Sequence, residues 1–407
     1  MERVRNCRVD GGPLVVVWDL GYMHSSTFVE NENSSKKSPL TWARCETCGL
    51  VQLTHNIDFD NTYRQYWYNS GLNPSMVSSL KDVVRSVEKA ISYGDVVVDI
   101  GSNDSTLLGL YRKNKNVFRV GFEPALNINS HENADLLIPD FFNRYAYEEY
   151  MGRTKAKVIT AIAMFYDLPD PNTFVSDVAH ILHPAGTFVI QMTDLVAMLQ
   201  ANAFDNTCAE HLECYTVAGT IALLENHGLE VYDAQRNDVN GGSVRLYIGH
   251  KNTHPILKTV PDILDHEVKT LAEDSLERLR DRIDLYREKT MNFIHEEVVI
   301  KGKTMLALGA STKGNTLLQY YGIDNTLIPF IGEINKEKFG LKTVGTHLKI
   351  ISETDVIAMH PDYILVLPWH FKENFKKILR PYLNKGGKVI FPLPYPHLLD
   401  KHTEIKI

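Results

Sequence analysis

The sequence predicts an α/β chain: two doubly wound, Rossmann-like lobes behind a small N-terminal metal-binding domain. Three observations point there. Three of the five cysteines fall within the first 48 residues, apolar runs alternate with helical patterns from Tyr93 to Gly249, and a second such set spans Thr304 to Phe391. The 407 residues are 44% hydrophobic and 23% charged, which excludes a disordered or fibrous chain and a single small module. Lys plus Arg number 43 against 50 Asp plus Glu, a net charge of −7 and the wrong sign for gripping a nucleic-acid backbone, so no nucleic-acid partner is expected. No apolar run reaches the roughly 20 residues a membrane span needs, and Met1 to Asp10 is charged rather than signal-like. The expectation is a cytoplasmic monomer or small homo-oligomer with no membrane partner.

Taken in order, Cys45-Glu46-Thr47-Cys48-Gly49 is a C-x2-C-G knuckle, two thiolates that can share one ion before a turn-permitting Gly. Cys7 offers a third ligand, and Asp10 stands where a second knuckle would place its partner. Asp10 supplies the fourth ligand, or His24 or His55 substitutes, or the thiols stay unligated. The polar stretch from Glu30 to Pro39 reads as a loop. Val96 to Ile100, Phe118 to Phe122, Val158 to Ala163 and Thr187 to Gln191 read as parallel strands. Leu229 to Asp233 and Val244 to Gly249 form a hairpin around Asn240-Gly241-Gly242.

The first of these strands runs through Asp99 and Ile100 into the small-residue turn Gly101-Ser102-Asn103-Asp104-Ser105 and a helix from Thr106 to Arg112, a place where a nucleoside-type ligand docks. The next strand ends at Glu123-Pro124, where an acid can take both ribose hydroxyls. The turn lacks the G-x-G-x-x-G of a dinucleotide site and the lobe closes in a hairpin, so S-adenosylmethionine fits better than NAD. Asp140 and Phe141, in Ile138 to Phe142, lie where adenine is contacted, and Ala163 ends the third strand. Glu210-His211 follows the Gln191 strand over the ligand crevice. His211 is the candidate base, because imidazole titrates near working pH, and Glu210 orients it or shares the proton.

Beyond His254-Pro255, apolar residues at helical spacing predict one long helix from about Ile263 to Val299 bridging the lobes. Thr304 to Leu308, Ile328 to Ile331, Tyr363 to Leu367 and Lys388 to Phe391 then read as strands. Gly309-Ala310-Ser311-Thr312-Lys313-Gly314-Asn315-Thr316 turns from strand to helix, and its N–H groups with Lys313 suit a diphosphate. Glu333 is placed for a ribose and Lys338 for phosphate, while Pro368-Trp369-His370 sits at a strand end on the same crevice.

Several of these motifs occur in one order: Cys7-x2-Asp10, Cys45-x2-Cys48-Gly49-Leu50-Val51-Gln52, Tyr66-x-Tyr68-x-Ser70-Gly71, the turn from Asp99 to Asp104, Gly121-Phe122-Glu123-Pro124, Met164-Phe165-Tyr166-Asp167, Glu210-His211-Leu212-Glu213, Asn240 to Ser243 and Gly309 to Thr316. Along nearly the whole chain this resembles the zinc-containing sugar C-methyltransferases, which methylate C3 of a nucleotide-linked 4-keto-6-deoxy sugar. The resemblance implies a zinc-binding domain over 1–62, a class I methyltransferase lobe binding S-adenosylmethionine over 63–252, and a C-terminal Rossmann-like lobe binding the nucleotide sugar over 253–407. It implies structural zinc on Cys7, Asp10, Cys45 and Cys48, and catalysis by His211, Glu210, Tyr68 and Tyr166. The cofactor would meet Asp99, Gly101, Asn103, Glu123, Pro124, Asp140, Phe141 and Ala163. The sugar nucleotide would meet Asn240, Ser311, Lys313, Asn315, Glu333 and Lys338. Three departures stand out: Asp10 replaces a fourth Cys, Ser105 replaces a Gly and so adds a side chain near the cofactor, and the H-E-H-x-x-Y-Y pattern loses its first His and one Tyr. N- or O-methylation of a nucleotide sugar, or nucleotide-sugar binding without catalysis, are the alternatives.

Overall fold

The computed structural model describes residues 2–25, 27–30, 36–111, 116–128 and 132–407. The strands are β1 (Leu14–His24), β2 (Phe28–Val29), β3 (Lys37–Cys45), β4 (Val51–Leu53), β5 (Val96–Ile100), β6 (Phe118–Phe122), β7 (Leu136–Ile138), β8 (Ala156–Ile162), β9 (Leu182–Met192), β10 (Glu213–Cys214), β11 (Leu229–Asn237), β12 (Ser243–His250), β13 (Met305–Leu308), β14 (Phe330–Glu333), β15 (Lys342–Thr343), β16 (Lys349–Ser352), β17 (Tyr363–Val366), β18 (Lys388–Phe391), β19 (His397–Leu399) and β20 (Glu404–Lys406). The helices are α1 (Phe59–Tyr63), α2 (Pro74–Val87), α3 (Thr106–Gly109), α4 (Arg144–Met151), α5 (Pro171–Ile181), α6 (Leu195–Ala201), α7 (Val217–Glu225), α8 (Thr259–Thr270), α9 (Ser275–Ile294), α10 (Thr312–Tyr321), α11 (Glu353–Ala358), α12 (Lys372–Ile378) and α13 (Arg380–Asn384).

The central sheet has the order β11-β12-β9-β8-β5-β6-β7. Only β12 runs antiparallel, between β9 and β11. Every residue of β5 is buried, as a β-branched run covered on both faces requires. The expected strands at Val96–Ile100, Phe118–Phe122 and Lys388–Phe391 coincide with the observed ones, and the expected hairpin is the β11–β12 pair. The third sheet has the order β2-β15-β16-β14-β13-β17-β18-β19-β20, parallel from β16 to β18.

Four expectations are corrected. The single bridging helix is two, α8 and α9, broken at Leu271–Asp274, where Ala272 N–H donates to Ser275 Oγ at 2.8 Å. The break lets α8 cover the central sheet while α9 packs on β1 and α6. The boundary expected at residue 62 falls inside α1. The N-terminal strands are also shared with both lobes: β10, from just beyond His211, completes the β1-β3-β4 sheet, and β2 pairs with β15 of the third sheet. Trp18, Leu40, Trp42 and Leu53 accordingly belong to one core with Leu306, Leu317 and Ile364. Finally, the polar stretch from Glu30 to Pro39 is already a strand from Lys37, with 31–35 outside the described residues, and the helix expected to Arg112 is described from Thr106 to Gly109, Arg112 itself lying outside them.

Candidate active site

A single cavity of about 1500 Å³ opens where the carboxyl ends of the central and third sheets face each other. Of the residues predicted for cofactor, substrate and catalysis, all line it except Asn315.

On the central side, Glu123 is buried and accepts from Asn103 N–H at 2.7 Å and Ala125 N–H at 2.8 Å. Each carboxylate oxygen keeps lone-pair capacity for a ribose hydroxyl. Asn103 holds the protein rather than offering its amide: Oδ1 accepts from Ser70 N–H at 2.9 Å and Nδ2 donates to the Tyr68 carbonyl at 2.8 Å. The aromatic segment 66–71 is thereby tied over the turn. Ser105 has φ 58° and is fully buried outside the cavity lining, so its side chain costs backbone strain instead of blocking the ligand. Ala163 is likewise held at φ 55° at the end of β8. Asp140 pairs with Arg64 at 3.0 Å, and Arg64 lies over the Phe141 ring. Phe142, by contrast, packs on Phe122 and Phe174 in the core. Burial pushes Asp99, which accepts from Thr160 Oγ1 at 2.5 Å, up to about 8.

The catalytic strip carries a correction. His211 Nδ1 lies 2.7 Å from the Asn206 carbonyl, which can only accept, so Nδ1 bears the hydrogen and Nε2 is left as a lone pair. Burial, then the charge of Lys313, lowers this imidazole to about 3, so it does not titrate near working pH. Burial raises Glu210 to about 7, and Glu210 is thus the group poised near neutrality. Tyr166 packs on the His211 ring at 4.5 Å between centroids, and Tyr68 opens onto the cavity. Asp167, which the sequence reading placed in a motif without a role, also lines the cavity. Its Oδ1 is buried without a partner, and burial and then Glu210 push it well above the carboxylate range. Its signal was its place in the Met164–Asp167 motif just beyond the Val158–Ala163 strand. Two carboxyls in one dry site do not both ionise readily.

On the third-sheet side, Ser311 Oγ caps α10 by accepting from Gly314 N–H at 3.0 Å. Ser311 N–H is taken by the Gly309 carbonyl and Gly309 N–H by that of Gly332, which leaves fewer N–H groups for a diphosphate than expected. Gly309 has φ 87°, and a Cβ there would lie 2.2 Å from Pro368, so only glycine fits this turn. Asn315 faces the core, donating to the Val344 carbonyl at 3.2 Å and accepting from Thr346 at 3.2 Å; its predicted substrate contact is withdrawn. Lys338 is buried, with Nζ 2.8 Å from the Ala310 carbonyl and 3.2 Å from Glu333, so its cation is committed to Glu333 instead of phosphate. Asn240 lines the cavity at the hairpin tip. A Cβ on the adjacent Gly241 would meet Trp369 at 3.1 Å, so glycine lets the hairpin dock on the second lobe.

Behind the cavity, one donor atom each from Cys7, Asp10, Cys45 and Cys48 lie within 4.8 Å of one another. Neither His24 nor His55 joins them. Backbone N–H groups of Val9 and Thr47 point at the Cys7 and Cys45 sulfurs at 3.4 and 3.3 Å. Three sulfurs and one carboxylate oxygen so disposed suit a tetrahedral zinc ion. Next to Cys7, Arg8 pairs with Glu213 at 3.3 Å, both side chains buried, which ties the knuckle to β10 and the catalytic strip.

Among the described residues no helix is long and apolar enough to cross a membrane. Residues 238–394 match the family described as the C-methyltransferase C-terminal domain. The chain is 29% identical over 385 residues to the C-methyltransferase NovU of Streptomyces niveus, covering 90% of this chain and 89% of that protein. Looser similarity extends to solved structures. One is the 1,6-didemethyltoxoflavin-N1-methyltransferase of Burkholderia thailandensis, at 11% identity and TM-score 0.35 over 52% of this chain and 96% of that one. Another is the CcbJ methyltransferase of Streptomyces caelestis, at 13% identity and TM-score 0.34 over 46% of this chain and all of that one, 100%. The C-terminal domain match and the relative that spans nearly the whole chain both indicate a methyltransferase.

Proposed function

We propose that the chain methylates a carbon, C3, of a nucleotide-linked 4-keto-6-deoxy sugar. The observation that supports this most is the single cavity lined by strand-end turns of both sheets, with Glu210, His211 and Tyr166 between them. S-adenosylmethionine, held by Glu123, Phe141 and the turn from Gly101, supplies an electrophilic methyl group. The chain's own task is to make the sugar carbon nucleophilic, and a neighbouring carbonyl allows that through its acidic α-proton. Glu210 accepts this proton, because a base near 7 matches the operating pH. His211 stays neutral and offers Nε2 to the same pair. Tyr68 and Tyr166 bound the reacting centre, and their phenols can donate to it. A structural zinc ion on Cys7, Asp10, Cys45 and Cys48 would fix the knuckle whose Arg8 holds Glu213.

Incubation with methyl-labelled S-adenosylmethionine and a panel of nucleoside diphosphate 4-keto-6-deoxyhexoses tests the reading. The label should appear on C3 by NMR. Transfer to nitrogen or oxygen would replace it with heteroatom methylation, and cofactor binding without transfer to any of the panel would make the chain a non-catalytic binder.

A further inference from the structure

We infer that Lys313 is a catalytic residue of the reaction proposed above, its ammonium facing the carbonyl oxygen of the bound keto sugar and holding the negative charge that develops there. The inference rests on that reading and adds to it the group that makes α-proton removal feasible.

Lys313 is the second residue of α10, whose start is fixed by the Ser311 cap, and it lines the cavity. The other two lysines that line the cavity are engaged or exposed: Lys338 pairs with Glu333, and Lys36 is exposed beside residues outside the described set. Nζ of Lys313 has no hydrogen bond or ion pair with any described residue. Its nearest carboxylate influence is Asp205, whose Oδ2 accepts from Trp369 Nε1 at 2.9 Å. Lys313 lines the same cavity as Glu210 and His211, and its charge adds to burial in lowering the His211 imidazole. Burial lowers its own affinity for the proton, and the charge of Asp205 only partly offsets that. Around Glu210 stand Asp167, Tyr63, Tyr66, Tyr166 and Cys208, with the neutral His211 beside it and Thr312 donating to it, and none of these is a cation. A carbonyl that is to accept charge at this strip therefore finds its cation in Lys313.

The chemistry balances within the site. The C–H bond next to the carbonyl breaks and its proton passes to the Glu210 carboxylate. The bonding pair forms the C=C bond while the carbonyl π pair moves to oxygen, and that oxyanion meets the Lys313 ammonium. Such preorganised charge is worth most where water is excluded.

The test follows deuterium exchange from D2O at the carbon beside the carbonyl, on the full chain with the same sugar panel and no S-adenosylmethionine, together with steady-state methyl transfer. Lys313→Met should lower both the exchange rate and kcat by about 10²- to 10³-fold, the size of losing one oxyanion donor, with KM for the sugar and the affinity for S-adenosylhomocysteine unchanged. Lys313→Arg, which keeps the charge, should recover part of the loss and serves if the Met variant fails to fold. A raised KM with exchange and kcat intact would overturn the inference and return Lys313 to the diphosphate. Absence of both exchange and transfer in the wild type, with every sugar of the panel, would instead bring down the functional reading.

Discussion

Two strand-to-helix turns face each other across the cavity, and they differ in where their side chains go. In the turn after β5, Asn103 and Asp104 are engaged by the aromatic segment: Ser70 N–H donates to Asn103 Oδ1 and Gly71 N–H to Asp104 Oδ2 at 2.7 Å. In the turn after β13, Ser311 closes the helix end on itself and Lys313 is left unengaged. Equivalent sheet positions therefore do different work in the two lobes. The first turn is a fixed cradle whose recognition falls to Glu123 at the next strand end. The second has a charged group available for chemistry.

The largest effect expected from breaking this arrangement is at Glu210, which lies between the turns. Glu210→Gln should lower kcat by about 10²- to 10⁴-fold. Burial raises this carboxyl from 4.5 to about 7, and only its ionised form accepts a proton, so wild-type activity should rise with pH through about 7. The groups facing it are Asp167, Tyr63, Tyr66, Tyr166 and Cys208, each pushed up by burial, and His211, pushed down by it, with Thr312 donating to Glu210. A pH–rate profile of the Gln variant should lack that acid limb. A limb that survives there but vanishes in His211→Ala would give the proton to the imidazole.

Next in size is the brace beneath the strip. Arg8→Ala leaves Glu213 as a buried, unpaired charge and should cost about 3–5 kcal/mol, read as a lower midpoint in denaturant. Full stability in that variant would detach the cysteine knuckle from the catalytic strip.

How far the sequence displayed this arrangement depended on the range of the interactions involved. The β5 strand and its turn were legible because a continuous buried run and small residues are local signals. Glu123 was legible from its place at the next strand end. Asn315 was not, because its partners Val344 and Thr346 lie about thirty residues further on and nothing near it reveals a buried polar pairing. Lys338 was misread although its neutralising partner Glu333 is near in sequence, because that pairing is set by the fold of the 333–338 turn. His211 kept the right place but not the right pKa, because desolvation is a property of the assembled cavity. The shared N-terminal sheet was invisible because two-residue strands such as β2 and β10 carry no periodicity.

Smaller effects sharpen the comparison of the turns. Asn103→Ala removes two hydrogen bonds that hold the aromatic segment and should weaken S-adenosylmethionine about tenfold, with little change in KM for the sugar. An unchanged cofactor affinity by calorimetry would mean the strap does not shape the cradle. Ser105→Gly should stabilise the fold by about 1 kcal/mol, because the residue sits in left-handed backbone. Cofactor affinity should not move, as the serine side chain lies outside the cavity lining. A gain in affinity would show that the serine does intrude on the ligand.

The most direct measurement is a crystal structure of the full chain with S-adenosylhomocysteine and a nucleoside diphosphate 4-keto-6-deoxyhexose bound together. The account predicts the cofactor ribose on Glu123, the sugar carbon next to the carbonyl facing Glu210, and the carbonyl oxygen toward Lys313. A ribose far from Glu123, or a sugar ring turned away from the 210–211 segment, would contradict it.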